Sequence, residues 1–251
     1  MPILDKLIPN QGSNCTGSEF IKNNMNSSIT DREKNILDQF LMGNIPDFLR
    51  NFATIKIIKG SNSITYLTTT DYLAIGTDND YVRMPMNPLT AQKIADKYDC
   101  TLPTKKMVED IWQQSPVKLN PLPWGPPYDA SMMSTSRYGI HNDRIQNQLK
   151  DKDITALISG QKKDVVLTNK LAPNNPNKKV AIYGWIQSNG KAIQPLPGNH
   201  EDTYADYSHG TRLIANDVIV NDTPMRIQDV FKDKNLSNML SDEGPLTFLR
   251  Y

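Results

Sequence analysis

The chain has 251 residues, with 28 lysines and arginines against 27 aspartates and glutamates, so no global field gathers nucleic acid or an anionic membrane surface. A hydrophobic content of 38% supplies an ordinary core without a cofactor or disulfide, and 17 prolines with 13 glycines exclude a coiled coil or a plain bundle. No apolar run reaches the roughly eighteen residues of a membrane span, so none is expected.

Residues 1–28 are polar and read as an irregular N-terminal arm, with 29–251 forming a single α+β domain. Thr30-Asp31-Arg32-Glu33 matches a capping box and predicts a helix whose apolar face is Ile36, Leu37, Phe40 and Leu41, ending at Gly43. Branched and aromatic residues at 55–58 and 64–67 flank Gly60-Ser61-Asn62 and predict a hairpin, with 72–75 as the third strand of a small antiparallel meander. Two helices follow. One is capped at Asn87-Pro88, and the other starts at Thr104 and carries Met107, Val108, Ile111 and Trp112 on one face.

Five prolines between 115 and 137 exclude a helix or an interior strand and predict a proline-rich surface loop or else a linker; Trp124 and Tyr128 within it favour the ordered loop, since aromatics in a loop usually pack onto something. A helix is expected over Ile140 to Leu149. The C-terminal part reads as a mainly antiparallel sheet with strands at 165–167, 180–186, 192–193, 212–214 and 218–220, closed by a helix near Ile227 to Leu240.

Two of the three histidines stand close together, in His200-Glu201-Asp202-Thr203-Tyr204-Ala205-Asp206-Tyr207-Ser208-His209-Gly210. Histidine is the side chain that titrates nearest neutrality, so this segment is the first candidate for chemistry. His209 is the expected general base, Asp206 its orienting carboxylate and His200 a second acid or base. Arg212, Lys163, Tyr207, Trp124 and Tyr183 are the expected substrate contacts. The competing reading makes His209 a residue satisfied by a local carbonyl or carboxylate, and Lys162-Lys163 a solvated loop before a strand.

Metal ligation by His200, Asp202, Asp206, His209 and a distant His141 lacks the spacing of a compact zinc motif, so neither metal nor cofactor is expected. Cys15 and Cys100 are the only cysteines, either disulfide-bonded or free. The start, Met1-Pro2-Ile3-Leu4-Asp5-Lys6, lacks a basic segment followed by an apolar run, so no signal peptide is expected; a cytoplasmic protein and a mature exported one both fit.

Ser208-His209-Gly210-Thr211-Arg212-Leu213 resembles the Ser-His-Gly-Cys-x-Arg box of the L,D-transpeptidases, which cross-link peptidoglycan through that cysteine, and Ile182-Tyr183-Gly184 resembles their upstream His-Gly strand. Thr211 stands where the cysteine would be and the spacing to Arg212 is one residue short, so the thiolate mechanism does not carry over. Only His209 and Arg212 map.

A wider resemblance is to a bacterial protein group of uncharacterised activity. It runs through Leu102-Pro103-Thr104-Lys105-Lys106-Met107-Val108, Lys162-Lys163-Asp164-Val165, Val180-Ala181-Ile182-Tyr183-Gly184-Trp185 and Asp206-Tyr207-Ser208-His209-Gly210, and it implies one integral domain. The expectation is a hydrolase-type enzyme in which His and Asp activate water on a polar small molecule or glycan, carbohydrate or cell-wall material included. The alternative is a non-enzymatic glycan- or protein-binding or structural protein, with Trp124, Tyr128, Tyr183, Trp185 and Tyr204 as its recognition surface.

Overall fold

The computed structural model describes residues 15–171, 174–196 and 200–251. The first half of the expected arm, residues 1–14, lies outside the described residues. Its second half is not irregular: Thr16 and Glu19 form a reciprocal capping box that starts helix α1, Gly17–Asn23.

Helix α2, Ile29–Leu41, is capped by Ser28, whose hydroxyl accepts from the Asp31 amide, and not by Thr30. Glu33, expected to close that box, is buried and accepts from the Asn87 amide at 3.2 Å. The local pattern yields here because a tertiary partner outcompetes it.

Strands β1, Phe52–Lys59, and β2, Asn62–Thr69, form the expected hairpin, with Ile57 opposite Ile64. The third strand leaves this meander. Ala74–Gly76, β3, pairs with Tyr81–Arg83, β4, in a separate ribbon. Helix α3, Pro88–Lys97, strand β5, Cys100–Thr101, and helix α4, Lys105–Gln114, follow, with Asn87 and Thr104 capping the two helices as expected.

Strand β6, Val117–Lys118, opens the proline-rich stretch, and helix α5, Thr135–Leu149, begins earlier than expected because Ser134 caps it. Then come β7, Ile158–Ser159, β8, Lys163–Val165, β9, Ile182–Ile186, and β10, Ala192–Gln194. Two-residue strands β11, His209–Gly210, and β12, Ile214–Ala215, precede β13, Asp217–Val220, and β14, Thr223–Arg226. Asn221 and Asp222, both at positive φ, make the β13–β14 turn. Helix α6, Ile227–Lys232, is shorter than expected, and a 3-10 turn at Ser237–Met239 follows it.

The class is α+β. The main sheet runs β14-β13-β2-β12-β5, with β1 on the other side of β2, so the N-terminal hairpin and the C-terminal strands share one sheet. A second sheet runs β10-β9-β8-β11, antiparallel except for β8 and β11, which pair in parallel with His209 opposite Lys163 and Gly210 opposite Asp164. One buried apolar cluster joins residues from Phe20 to Phe248 across these layers. No helix among the described residues is long and apolar enough to cross a membrane.

Candidate active site

The segment before β11 is folded around a carboxylate. Asp206 accepts from the Ser208 amide at 2.8 Å, from the Ser208 hydroxyl at 2.5 Å and from the Tyr204 phenol at 3.0 Å, while its own carbonyl accepts from the His209 amide. Burial pushes its carboxyl up, but the charges of His209 and Lys163 and the Ser208 hydrogen bonds outweigh burial and hold it well below the usual carboxylate range. Asp206 makes no hydrogen bond to the His209 ring. It therefore acts on that imidazole as a fixed negative charge, not as the expected orienting hand.

His209 is fully buried, and neither ring nitrogen has a partner. Burial lowers its pKa to about 4, with Asp206 pulling upward and Lys163 downward. The imidazole is thus neutral at physiological pH. His141, on α5, is also fully buried; burial and then Lys162 and Arg144 depress its pKa to about 2, against the pull of Asp206 and the Leu122 backbone.

His200 is exposed and stacks on Tyr204, with ring centroids 3.9 Å apart, and Tyr204 in turn meets the His209 ring edge-on at 5.6 Å. His141 and His209 both feel the charges of Lys162 and Asp206. All three histidines therefore share one neighbourhood.

Lys162 lies at its centre and is 1% exposed. Its ammonium nitrogen donates to the Tyr207 carbonyl at 2.6 Å, and burial, reinforced by Arg83, lowers its pKa to about 7 against the pull of Asp206 and Asp71. Lys163, one residue on and paired with His209, is half-buried and sits 4.6 Å above the Trp185 ring. Sequence reasoning passed over Lys162. Two adjacent lysines before a strand usually face water, and the one available signal, a lysine followed by a buried strand, did not say which of them turns inward.

Tyr207 joins three rings edge-on: His141 at 4.8 Å, Trp124 at 5.6 Å and Trp185 at 6.1 Å. Its phenol also accepts from the Trp124 amide at 2.7 Å. Trp185 reaches this position through a left-handed backbone, with φ +56° after Gly184 at +120°, a conformation that costs a non-glycine residue about 1 kcal/mol or more. Gly210 is equally constrained, because a β-carbon there would fall 2.5 Å from the Tyr72 ring.

Other expected contacts fall elsewhere. Arg212 is 1% exposed and spends its guanidinium on the Thr69 and Ile158 carbonyls, at 2.6 and 2.7 Å, and on the Tyr72 ring face, which makes it an internal tie with no group left for substrate. Tyr183 turns to α4, donating to Glu109 and facing Lys105. Tyr128 is 77% exposed and stands apart from the ring cluster, so the five aromatics named from the sequence do not make one surface.

Asp164 lies on the opposite side of β8 from Lys163. It accepts from Tyr72 at 2.8 Å, and burial raises its pKa to about 7 against the pull of Arg212. The enclosed cavity bordered by Tyr72, Lys162, Asp164 and Arg212 measures about 10 Å³, the size of one water and far below a substrate site. An open depression of about 520 Å³ near Asn175, Phe248 and Arg250 is large enough, but no histidine lines it.

Among the described residues, no three His, Cys, Asp or Glu side chains stand together as a cation site, and Cys15 and Cys100 are separate free thiols. Comparison with protein-family models, with curated proteins and with solved structures found no match.

Proposed function

We propose that the chain is a hydrolase-type enzyme in which His209 is the base that activates water on a polar substrate, carbohydrate or cell-wall material foremost. One observation carries this reading: the buried His209 imidazole, with neither ring nitrogen hydrogen-bonded, shares its surroundings with the buried Lys162 and His141 and with an ionised Asp206. Unsatisfied buried polar atoms are costly, and a catalytic role is one reason for a site to keep them.

In the mechanism, neutral His209 takes the proton from water, and Lys162, whose pKa of about 7 suits proton transfer near neutrality, returns a proton to the leaving group. Asp206 stabilises the imidazolium as it forms, through its charge. His200 stays on the exposed side, stacked on Tyr204, as the outer member of the group. The neutral His209→Gln variant tests this on a panel of glycoside, ester and amide substrates: turnover falls by about two to four powers of ten, and unchanged turnover removes His209 from the reaction.

The Trp124–Tyr207–Trp185 cluster supports a second reading, a glycan-binding protein without chemistry. Product formation on the same panel separates the two.

A further inference from the structure

His209 is 0% exposed, and neither the small cavity beside Lys162 nor the open depression near Phe248 is lined by it. An imidazole that takes a proton from a reacting water has to be reached, so a covering group must move. Three rings lie in order of exposure: His200 outermost, Tyr204 half-buried beneath it, and His209 enclosed under the Tyr204 edge. Tyr204 is the layer between the imidazole and solvent.

Little holds that ring. Its phenol donates to Oδ2 of Asp206 at 3.0 Å, the single hydrogen bond of the side chain among the described residues, and one face stacks on His200 with the planes 11° apart. The backbone around it is pinned instead. The His200 carbonyl accepts from the Val180 amide at 3.1 Å, the Asp202 amide donates to the Lys178 carbonyl at 2.7 Å, the Ala205 carbonyl accepts from the Tyr138 phenol at 2.6 Å, and the Tyr207 amide donates to the Met132 carbonyl at 3.0 Å. Asp206 is held through its other oxygen, Oδ1, by the amide and hydroxyl of Ser208. The Tyr204 side chain is thus free to change rotamer while its frame and Asp206 stay in place, a motion far faster and cheaper than local unfolding.

We propose that Tyr204 is a gate: its ring, turned outward, opens His209 to a ligand and frees Oδ2 of Asp206 to bind it. An ionised carboxylate only accepts hydrogen bonds, so the group that takes the phenol's place on Oδ2 is a donor, a hydroxyl of the ligand. In the closed state the tyrosine stands where that hydroxyl-bearing ring will sit. The gate rests on the catalytic reading of His209 for its purpose, but access to the imidazole and turnover are separate measurements.

Diethyl pyrocarbonate, which acylates neutral imidazole, reads the gate directly. At neutral pH burial keeps both His209 and His141 unprotonated, so their rates report access alone. Modification is followed residue by residue by peptide mass spectrometry in the full-length protein, in Tyr204→Phe and in Tyr204→Ala, each first shown by circular dichroism to be folded. His200 is expected to react first in the parent. His209 reacts about tenfold faster in Tyr204→Phe, which keeps the ring but loses the bond to a charged oxygen, and faster still in Tyr204→Ala, while His141 stays protected in all three. Phenol added to Tyr204→Ala slows His209 again, and anisole, a similar ring without the donor, does so less.

An unchanged His209 rate in both variants, a His141 rate that rises in step with it, or equal protection by phenol and anisole overturns the proposal. The two claims fail separately. If His209→Gln turns substrate over normally, the catalytic reading falls while the measured access to His209 stands; if the Tyr204 variants leave that access unaltered, the gate falls and the base remains.

Discussion

The roles proposed for His209 and Lys162 set the pH range over which activity is expected. His209 must be neutral to accept a proton, which burial ensures down to about pH 4. Lys162 must be protonated to donate one, which holds up to about pH 7. The dependence of kcat/KM on pH is therefore a bell with its limbs near about 4 and about 7, and an optimum on the alkaline side of neutrality contradicts this pair of roles. That Asp206 and His209 stand close together was legible in the sequence because they lie three residues apart. Lys162 was not, since composition does not reveal which lysine of a pair has its stem packed beside Gly210. Arg212 was misread for the same reason: an arginine before an apolar run suggests a cleft, yet its partners are carbonyls at Thr69 and Ile158, distant in sequence.

At the scale of elements, helices with local caps were readable and short strands were not. Asn87 and Thr104 announce α3 and α4 from within a few residues, because capping is a contact between near neighbours. The start of α2 shows the limit of that rule. Ser28 and Thr30 both precede the apolar face, and the choice between them is made by Glu33 turning away to Asn87. Ser28→Ala accordingly lowers stability by about 1 kcal/mol in denaturant titrations whereas Thr30→Ala changes little, and the reverse order contradicts this cap. Strands β8 and β11 gave no usable period, because two or three residues cannot display an alternation; their pairing is set by the neighbours they meet.

At the scale of the molecule, the two ends of the chain complete each other. Strand β2 lies between its own hairpin partner β1 and the C-terminal β12 and β13, so neither end keeps its sheet without the other. A buried ion pair ties a second region in. Arg83 on β4 holds Asp71 at 2.5 Å with both side chains fully buried, and Gln161, one residue before Lys162, bonds the same carboxylate at 2.8 Å. Arg83→Met leaves Asp71 as an uncompensated buried charge, for an expected loss of about 3–5 kcal/mol in denaturant titrations; a loss below about 1 kcal/mol contradicts the ion pair's role. None of this was legible beforehand, since Asp71, Arg83 and Gln161 come from separate segments and carry no motif.

The left-handed Trp185 and the glycines around it serve as a key. Strand β8 sends successive side chains to opposite faces, Lys163 toward the rings and Asp164 toward Tyr72, and a strand this short has little of its own to hold it in step. A slip of one residue would exchange those two, setting a carboxylate over the Trp185 ring and a lysine against Tyr72. Gly210 sits where only a residue without a side chain clears Tyr72, and Gly184 with Trp185 interrupts the regular backbone across from Lys163. Such irregularities mate in one alignment, so the strain at Trp185 selects the register that sets Lys163 over its ring and Asp164 against Tyr72.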